Sequence, residues 1–199
     1  MFGPGVDGFV LWDLPDRLES LSGFRHALHM PTASSSSSSS VPSILVDTNI
    51  VSGLVKGDLP REQAQAVVKI VEMMQRSDVT LAGTTVMRDE LNKIPAPHRS
   101  PHIAIADTLR TLKTASGVTW LDANSGAIVE SPTYAALRRN LPDEPDARMI
   151  AIGEEHHQDY FMTDDRRSVL SRRERIASIC SIKPRWPTEI LAELTQRST

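Results

Sequence analysis

Four acidic positions carry most of the chemistry this sequence offers: Asp47, Glu90, Asp146 and Asp165. Asp47 ends the apolar run Ile44-Leu45-Val46 and is followed by Thr48-Asn49, while Asp165 closes Thr163-Asp164-Asp165 behind Tyr160-Phe161-Met162. An apolar run stopped by a carboxylate reads as a buried strand with an acid at its end. Glu90 falls on a helical pattern, and Asp146, in Asp143-Glu144-Pro145-Asp146, sits in the first turn of another. Each residue alone has an ordinary explanation. Asp-Thr-Asn is common turn and cap material, Glu90 fits surface charge, and Asp146 near a helix start gains typically about 0.3–1 kcal/mol from the dipole without any metal. Gathered in one place, the four repel one another and raise each other's pKa values. A divalent cation relieves that repulsion, and an all-oxygen ligand set suits magnesium or manganese. Two such ions about 3.5–4 Å apart can flank a scissile phosphate.

Strands alternating with helices are what must position these acids. The pattern predicts strands at Ile44 to Val46, Val79 to Ala82, Val118 to Leu121, Tyr160 to Met162 and Ile179 to Ile182. Helices are expected from Asp58-Leu59-Pro60 to about Arg76, behind Thr84 or Thr85, over Ile103 to Thr114, over Tyr134 to Arg139, from Asp143 to about Glu155, and from Pro187 onward. This alternation implies an α/β fold with a mainly parallel sheet and helices on both faces. Ligands in such sheets bind outside the carboxyl ends of the strands, at the point where strand order reverses. If the first and fourth strands are neighbours, Asp47 and Asp165 meet there.

The four segments, taken in order, resemble PIN-domain ribonucleases: Val46-Asp47-Thr48-Asn49-Ile50, Glu90-Leu91, Asp146-Ala147-Arg148-Met149-Ile150-Ala151, and Phe161-Met162-Thr163-Asp164-Asp165-Arg166. The resemblance spans roughly residues 43–185. It implies a five-stranded parallel sheet of order 3-2-1-4-5 and a magnesium- or manganese-dependent endonuclease acting on RNA. It makes Asp47 the central metal ligand, with Asp146 and Asp165 across the site and Glu90 completing the set. Thr163 would hydrogen-bond within the site, and Asn49 would orient Asp47. Asp164 competes with Asp165 and Asp89 with Glu90; the family pattern favours Asp165 and the acid before leucine. Many bacterial members are VapC-type toxins paired with an antitoxin, which joins RNA and a second copy of the chain among the expected partners. The stretch between Glu90 and Asp146 is longer than in compact members, so the substrate-facing loops are not carried over.

The bulk composition is consistent with that setting. The chain has 199 residues, 40% of them hydrophobic, enough for one domain with a proper core. No apolar stretch approaches the roughly 20 residues that span a bilayer, and no basic region precedes an apolar block at the amino terminus. The single cysteine, Cys180, lies in the expected fifth strand as a packed thiol, and its isolation excludes an internal disulfide framework. A cytoplasmic location is expected. The net charge of −3 gives no global footprint for nucleic acid, so binding must rest on a local patch or on metal ions. Arg166, Arg167, Arg172, Arg173 and Arg175 offer such a patch, or else a solvated helix face interacting with Glu174.

Other motifs are weaker. His98 and His102 have the spacing of a helical metal pair, but Pro97 and Pro101 make that segment a poor helix and zinc is not expected. His156-His157 is adjacent and not helically spaced. No P-loop and no Gly-x-Ser-x-Gly elbow is present. Residues 1–42 read as an extension, with an unbroken run from Ser34 to Ser40 and an apolar stripe of Leu14, Leu18, Leu21, Phe24 and Leu28; the domain is expected over 43–199. The expected function is a metal-dependent endoribonuclease. The alternatives are a non-catalytic RNA- or protein-binding module of the same fold and a metal-dependent phosphatase.

Overall fold

The computed structural model describes residues 41–113, 119–121 and 128–197. The amino-terminal extension, with its leucine stripe and serine run, lies outside the described residues. Five strands form one parallel sheet: β1 (Ser43–Val46), β2 (Thr80–Thr84), β3 (Arg110–Leu112), β6 (Tyr160–Met162) and β7 (Lys183–Arg185), in the order β3-β2-β1-β6-β7. Counted along the sheet's own strands this is the order 3-2-1-4-5. Two further strands, β4 (Thr119–Leu121) and β5 (Ile128–Glu130), form a separate antiparallel pair.

The central strands are the apolar runs of the sequence. Ile44, Leu45, Val46, Tyr160, Phe161 and Met162 are all buried. Consecutive residues of a strand point to opposite faces, so both faces of the sheet are covered. Registers of Ile44 with Tyr160 and of Leu45 with Ala82 fix β1 between β6 and β2. Its chain then leaves into α1 (Thr48–Lys56), whose amino cap is Asp47 and whose end is closed by Gly57 at φ 71, a left-handed conformation that favours glycine. The helices α2 (Arg61–Gln75) and α8 (Pro187–Arg197) pack on each other, joined by Gln63, which both donates to and accepts from Thr188 at 3.2 Å.

Two helices bring further acids in. Thr84 ends β2 and caps α3 (Thr85–Asn92), its hydroxyl accepting the Met87 N–H at 3.1 Å. Leu91 and Met87 lock α3 onto the core and leave Glu90 on its other face. α6 (Glu144–Glu155) follows α5 (Pro132–Asn140) and is buried almost all round from Ala147 to Gly153. Gly153 is where α6 approaches the sheet most closely: a Cβ there would stand 2.6 Å from Ile182 Cδ1 and 2.8 Å from Leu45 Cδ2.

Three expectations are corrected. The third strand of the sheet is Arg110–Leu112, not Val118 to Leu121; Thr119–Leu121 pairs instead with Ile128–Glu130. An edge strand of three residues needs one buried side chain, here Leu112, and so leaves no apolar run to read. The helix expected from Ile103 begins earlier, as α4 (Ala96–Thr108), with Pro101 inside it. Pro97 lies in the first turn, where a missing N–H costs nothing, and only Pro101 removes an internal bond. The fifth strand is Lys183–Arg185, just beyond the apolar run. Ile182 is buried from the turn that leads into it. Cys180 therefore sits in that turn after the short α7 (Arg173–Ala177), with its thiol pushed up to about 12 by burial and by Glu154. It is a packed, unreactive group.

Candidate functional site

Asp47 stands where β1 ends. Its N–H continues the ladder to Met162 O at 3.0 Å, which places it beside the end of β6. Its carboxylate accepts the Asn49 N–H at 3.4 Å and the Thr163 hydroxyl at 2.6 Å. Thr163 is a hub. The same hydroxyl oxygen accepts from Asn49 Nδ2 at 3.0 Å and from the Asp165 N–H at 3.0 Å. Asn49 Oδ1 in turn accepts the Asp164 N–H at 3.2 Å. The side chain of Asn49 thus holds the loop after β6, and it orients Asp47 mainly through Thr163.

Five carboxylates line a single cleft of about 940 Å³ at the carboxyl ends of β1, β2 and β6: Asp47, Glu90, Asp143, Asp146 and Asp165. The four acids singled out in the sequence are all brought there. Asp164 and Asp89 do not line it: Asp164 turns towards Arg166, 4.0 Å away, and Asp89 is exposed on the far side of α3. Asp143 was missed by the sequence reading. It occupies the cap position of α6 but makes no side-chain cap bond, so its carboxylate is left for the cleft. The signal was present as an acid two residues before Pro145, but it is indistinguishable from ordinary capping without the geometry.

Each acid is held differently. Glu90 Oε2 accepts the Thr48 hydroxyl at 2.5 Å. Asp165 is the most constrained, accepting the N–H groups of Arg167 at 2.9 Å and Ser168 at 2.8 Å and the Ser168 hydroxyl at 2.5 Å. Among the described residues the side chains of Asp143 and Asp146 have no hydrogen-bond donor at all, and none of the five acids has an ion-pair partner.

The electrostatics follow from this arrangement. Burial lifts Asp47 to about 7, with Glu90 and Asp165 adding to the effect and the bonds from Thr163 and Asn49 opposing it. Asp146 rises to about 8, first through burial and then through the charges of Asp47, Asp165 and Asp143. Asp165 goes the other way: burial would raise it, but the bonds from Ser168 and Arg167 outweigh that and hold it low. The site therefore combines one firmly ionised carboxylate with two that resist ionisation near neutral pH.

Asp143, Asp146 and Asp165 each offer one oxygen, all within 4.8 Å of one another. Hard carboxylate oxygens without competing cations fit a magnesium or manganese ion. Asp47 and Glu90 stand outside this trio. The resemblance makes Asp47 the central ligand, whereas its oxygens here are turned to Thr163 and Asn49.

The histidines and arginines also find places. His98 and His102 do lie one turn apart on α4, but His102 is buried and its Nδ1 contacts His98 O at 2.8 Å, while His98 lines the cleft. Of the arginines, Arg173 pairs with Glu189 at 3.0 Å, Arg172 binds Arg167 O at 2.6 Å, and Arg166 lies 5.5 Å over the Trp186 ring. Arg166, Arg167, Arg173 and Arg175 are all exposed, and Arg172 is half-buried.

No protein-family profile matches the chain, and no curated protein sequence does. Similar solved structures include a chain from VapBC2 of Rickettsia felis bound to a DNA fragment from their promoter. That chain is 13% identical, with a TM-score of 0.49, over 72% of this chain and 98% of its own length.

Proposed function

We propose that this domain is a divalent-metal-dependent endoribonuclease of the PIN type, hydrolysing RNA phosphodiester bonds internally. The observation that carries the reading is the convergence of five carboxylates, without an ion-pair partner among the described residues, on one cleft at the carboxyl edge of a parallel sheet. Carboxylates crowded in one cleft repel one another, and a bound divalent cation would relieve that repulsion. Magnesium or manganese bound there would neutralise the acids and act as a Lewis acid towards the phosphate. Asp143, Asp146 and Asp165, each with an oxygen within 4.8 Å of the others, would hold it. Thr163 fixes Asp47, and the Thr48–Glu90 bond ties α1 to α3, so both acids meet the substrate without rearranging. Asp146 holds a proton near neutral pH and gives it up as positive charge enters the cleft. The sequence resemblance makes a toxin held in check by an antitoxin the cellular setting to test first.

The experiment is cleavage of mixed single-stranded and hairpin RNAs, with matched DNAs, by the full-length protein in magnesium, manganese or chelator. The nuclease reading expects internal cuts in RNA that vanish with chelator. Binding of RNA without any cut, in either metal, would favour the non-catalytic module instead.

A further inference from the structure

The cleft has a second lining that the acids do not use. Val55, Ile94, Pro95, Pro97 and Pro101 give it an apolar wall, and Lys56 and His98 stand on the same lining. Among the described residues Lys56 is the only lysine or arginine that lines the cleft, and no carboxylate pairs with it. Position matters here. Asp47 caps α1 and Lys56 ends it, so the helix's nine residues set the two about 13 Å apart along its axis. That is too far for both to serve one phosphate, but it suits a phosphate further along the same strand.

Charge makes such a group necessary. A polyanion entering a cleft of five carboxylates is repelled, and cations held by Asp143, Asp146 and Asp165 neutralise only the region around the bond that is cut. The neighbouring phosphate needs a cation of its own. The wall beside Lys56 has the complementary property: prolines have no N–H to offer a base edge, while their rings and the face of the His98 imidazole offer surface on which a base can pack. Such a wall accepts the face of a base and leaves its edges unread.

Resting on the nuclease reading above, we propose that Lys56 and the His98–proline face of α4 form a subsite for one unpaired nucleotide flanking the cut. Lys56 binds its phosphate, and the base lies against His98, Pro97 and Pro101. The nucleotide held there is unpaired, with little base preference at that position, because a paired base would first have to leave its stack to reach the wall.

The test uses the full-length protein in manganese, with a labelled single-stranded oligoribonucleotide and the same sequence in a blunt duplex. Lys56→Ala should raise KM for the single strand about tenfold, roughly 1.4 kcal/mol, with kcat within about twofold. It should also lower the salt dependence of log(kcat/KM) by about one phosphate contact. His98→Ala should narrow the preference for single strand over duplex, and Lys56→Arg should restore KM. Manganese affinity, read by the electron spin resonance of free ion, should stay at the wild-type value in each variant. An enzyme that cuts normally with KM and salt slope unchanged in Lys56→Ala would overturn the subsite alone. Loss of manganese binding in Lys56→Ala would overturn it too, by moving Lys56 to the metal site. A wild-type protein that cuts no RNA would overturn the nuclease reading and the subsite with it.

Discussion

Asp47 and Asp165 sit at the ends of adjacent strands yet are held in opposite electrostatic states. Asp165 is stabilised as an anion by three donors from its own loop, whereas Asp47, buried at 3% exposure, has only Thr163 and a long bond from Asn49. The consequence is a pH dependence with a defined sign. Asp47 and Asp146 have folded values of about 7 and about 8, above the ordinary carboxylate value of 3.8. The folded state therefore binds more protons than the unfolded chain between those limits, and stability falls as pH rises through them. In chelator, the melting temperature should drop between pH 5 and pH 8, beyond what the other groups contribute. Asp47→Asn removes one of the two titrations and should flatten that slope, raising the melting temperature at pH 8. Saturating manganese should reverse the slope in wild type, because a cation then takes the place of the protons. A wild-type slope equal to that of Asp47→Asn would show that Asp47 is ionised at no cost. The same variant should cut RNA at least about a hundredfold more slowly, about 2.7 kcal/mol of barrier.

At the scale of elements, α6 carries both Asp143 and Asp146 and is seated by Gly153. Gly153→Ala gains up to about 1 kcal/mol of helix propensity but forces a methyl against Ile182 and Leu45, both fully buried. Overpacking of this kind typically costs about 1–3 kcal/mol, so the net change should be destabilising and visible in urea unfolding. Where the helix gives way and not the Ile182 and Leu45 methyls, manganese binding should weaken too. Unchanged stability and metal affinity would mean that the contact is slack. The two central strands could be read in the sequence because each is an apolar run stopped by a carboxylate; strand–helix alternation implied a mainly parallel sheet, and its order was what the resemblance implied. Asp146 could be read as a candidate only in the company of the others. What stayed hidden has physical reasons. Arg110-Thr111-Leu112 pairs on one side only and needs no pattern. α4 tolerates Pro97 and Pro101 because one falls in its first turn. Lys183–Arg185 takes its register from Tyr160 and Met162 and not from its own side chains. Missing α4 also hid the wall that carries His98.

For the molecule as a whole, every strand of the parallel sheet and every residue lining the cleft, among the described residues, falls between Ser43 and Arg185. Deletion of residues 1–40 should therefore leave the melting temperature and metal-dependent cleavage close to those of the full chain; a large loss of either would give the extension a part in the core or in an assembly. Among the described residues, no helix is long and apolar enough to cross a membrane. With a net charge of −3, affinity for RNA must come from the bound cation and local bases, and not from the overall field. Metal-dependent cleavage requires one property of the molecule, that the cluster of acids is a cation site. Manganese titration, read by the spin resonance of free ion and paired with circular dichroism, tests it most directly. Wild type should bind the ion in the micromolar to millimolar range, and Asp146→Asn and Asp165→Asn, two members of the trio, should each lose at least about tenfold in affinity, about 1.4 kcal/mol, with the fold intact. Equal affinity in wild type and both folded variants, or no binding in wild type, would contradict it.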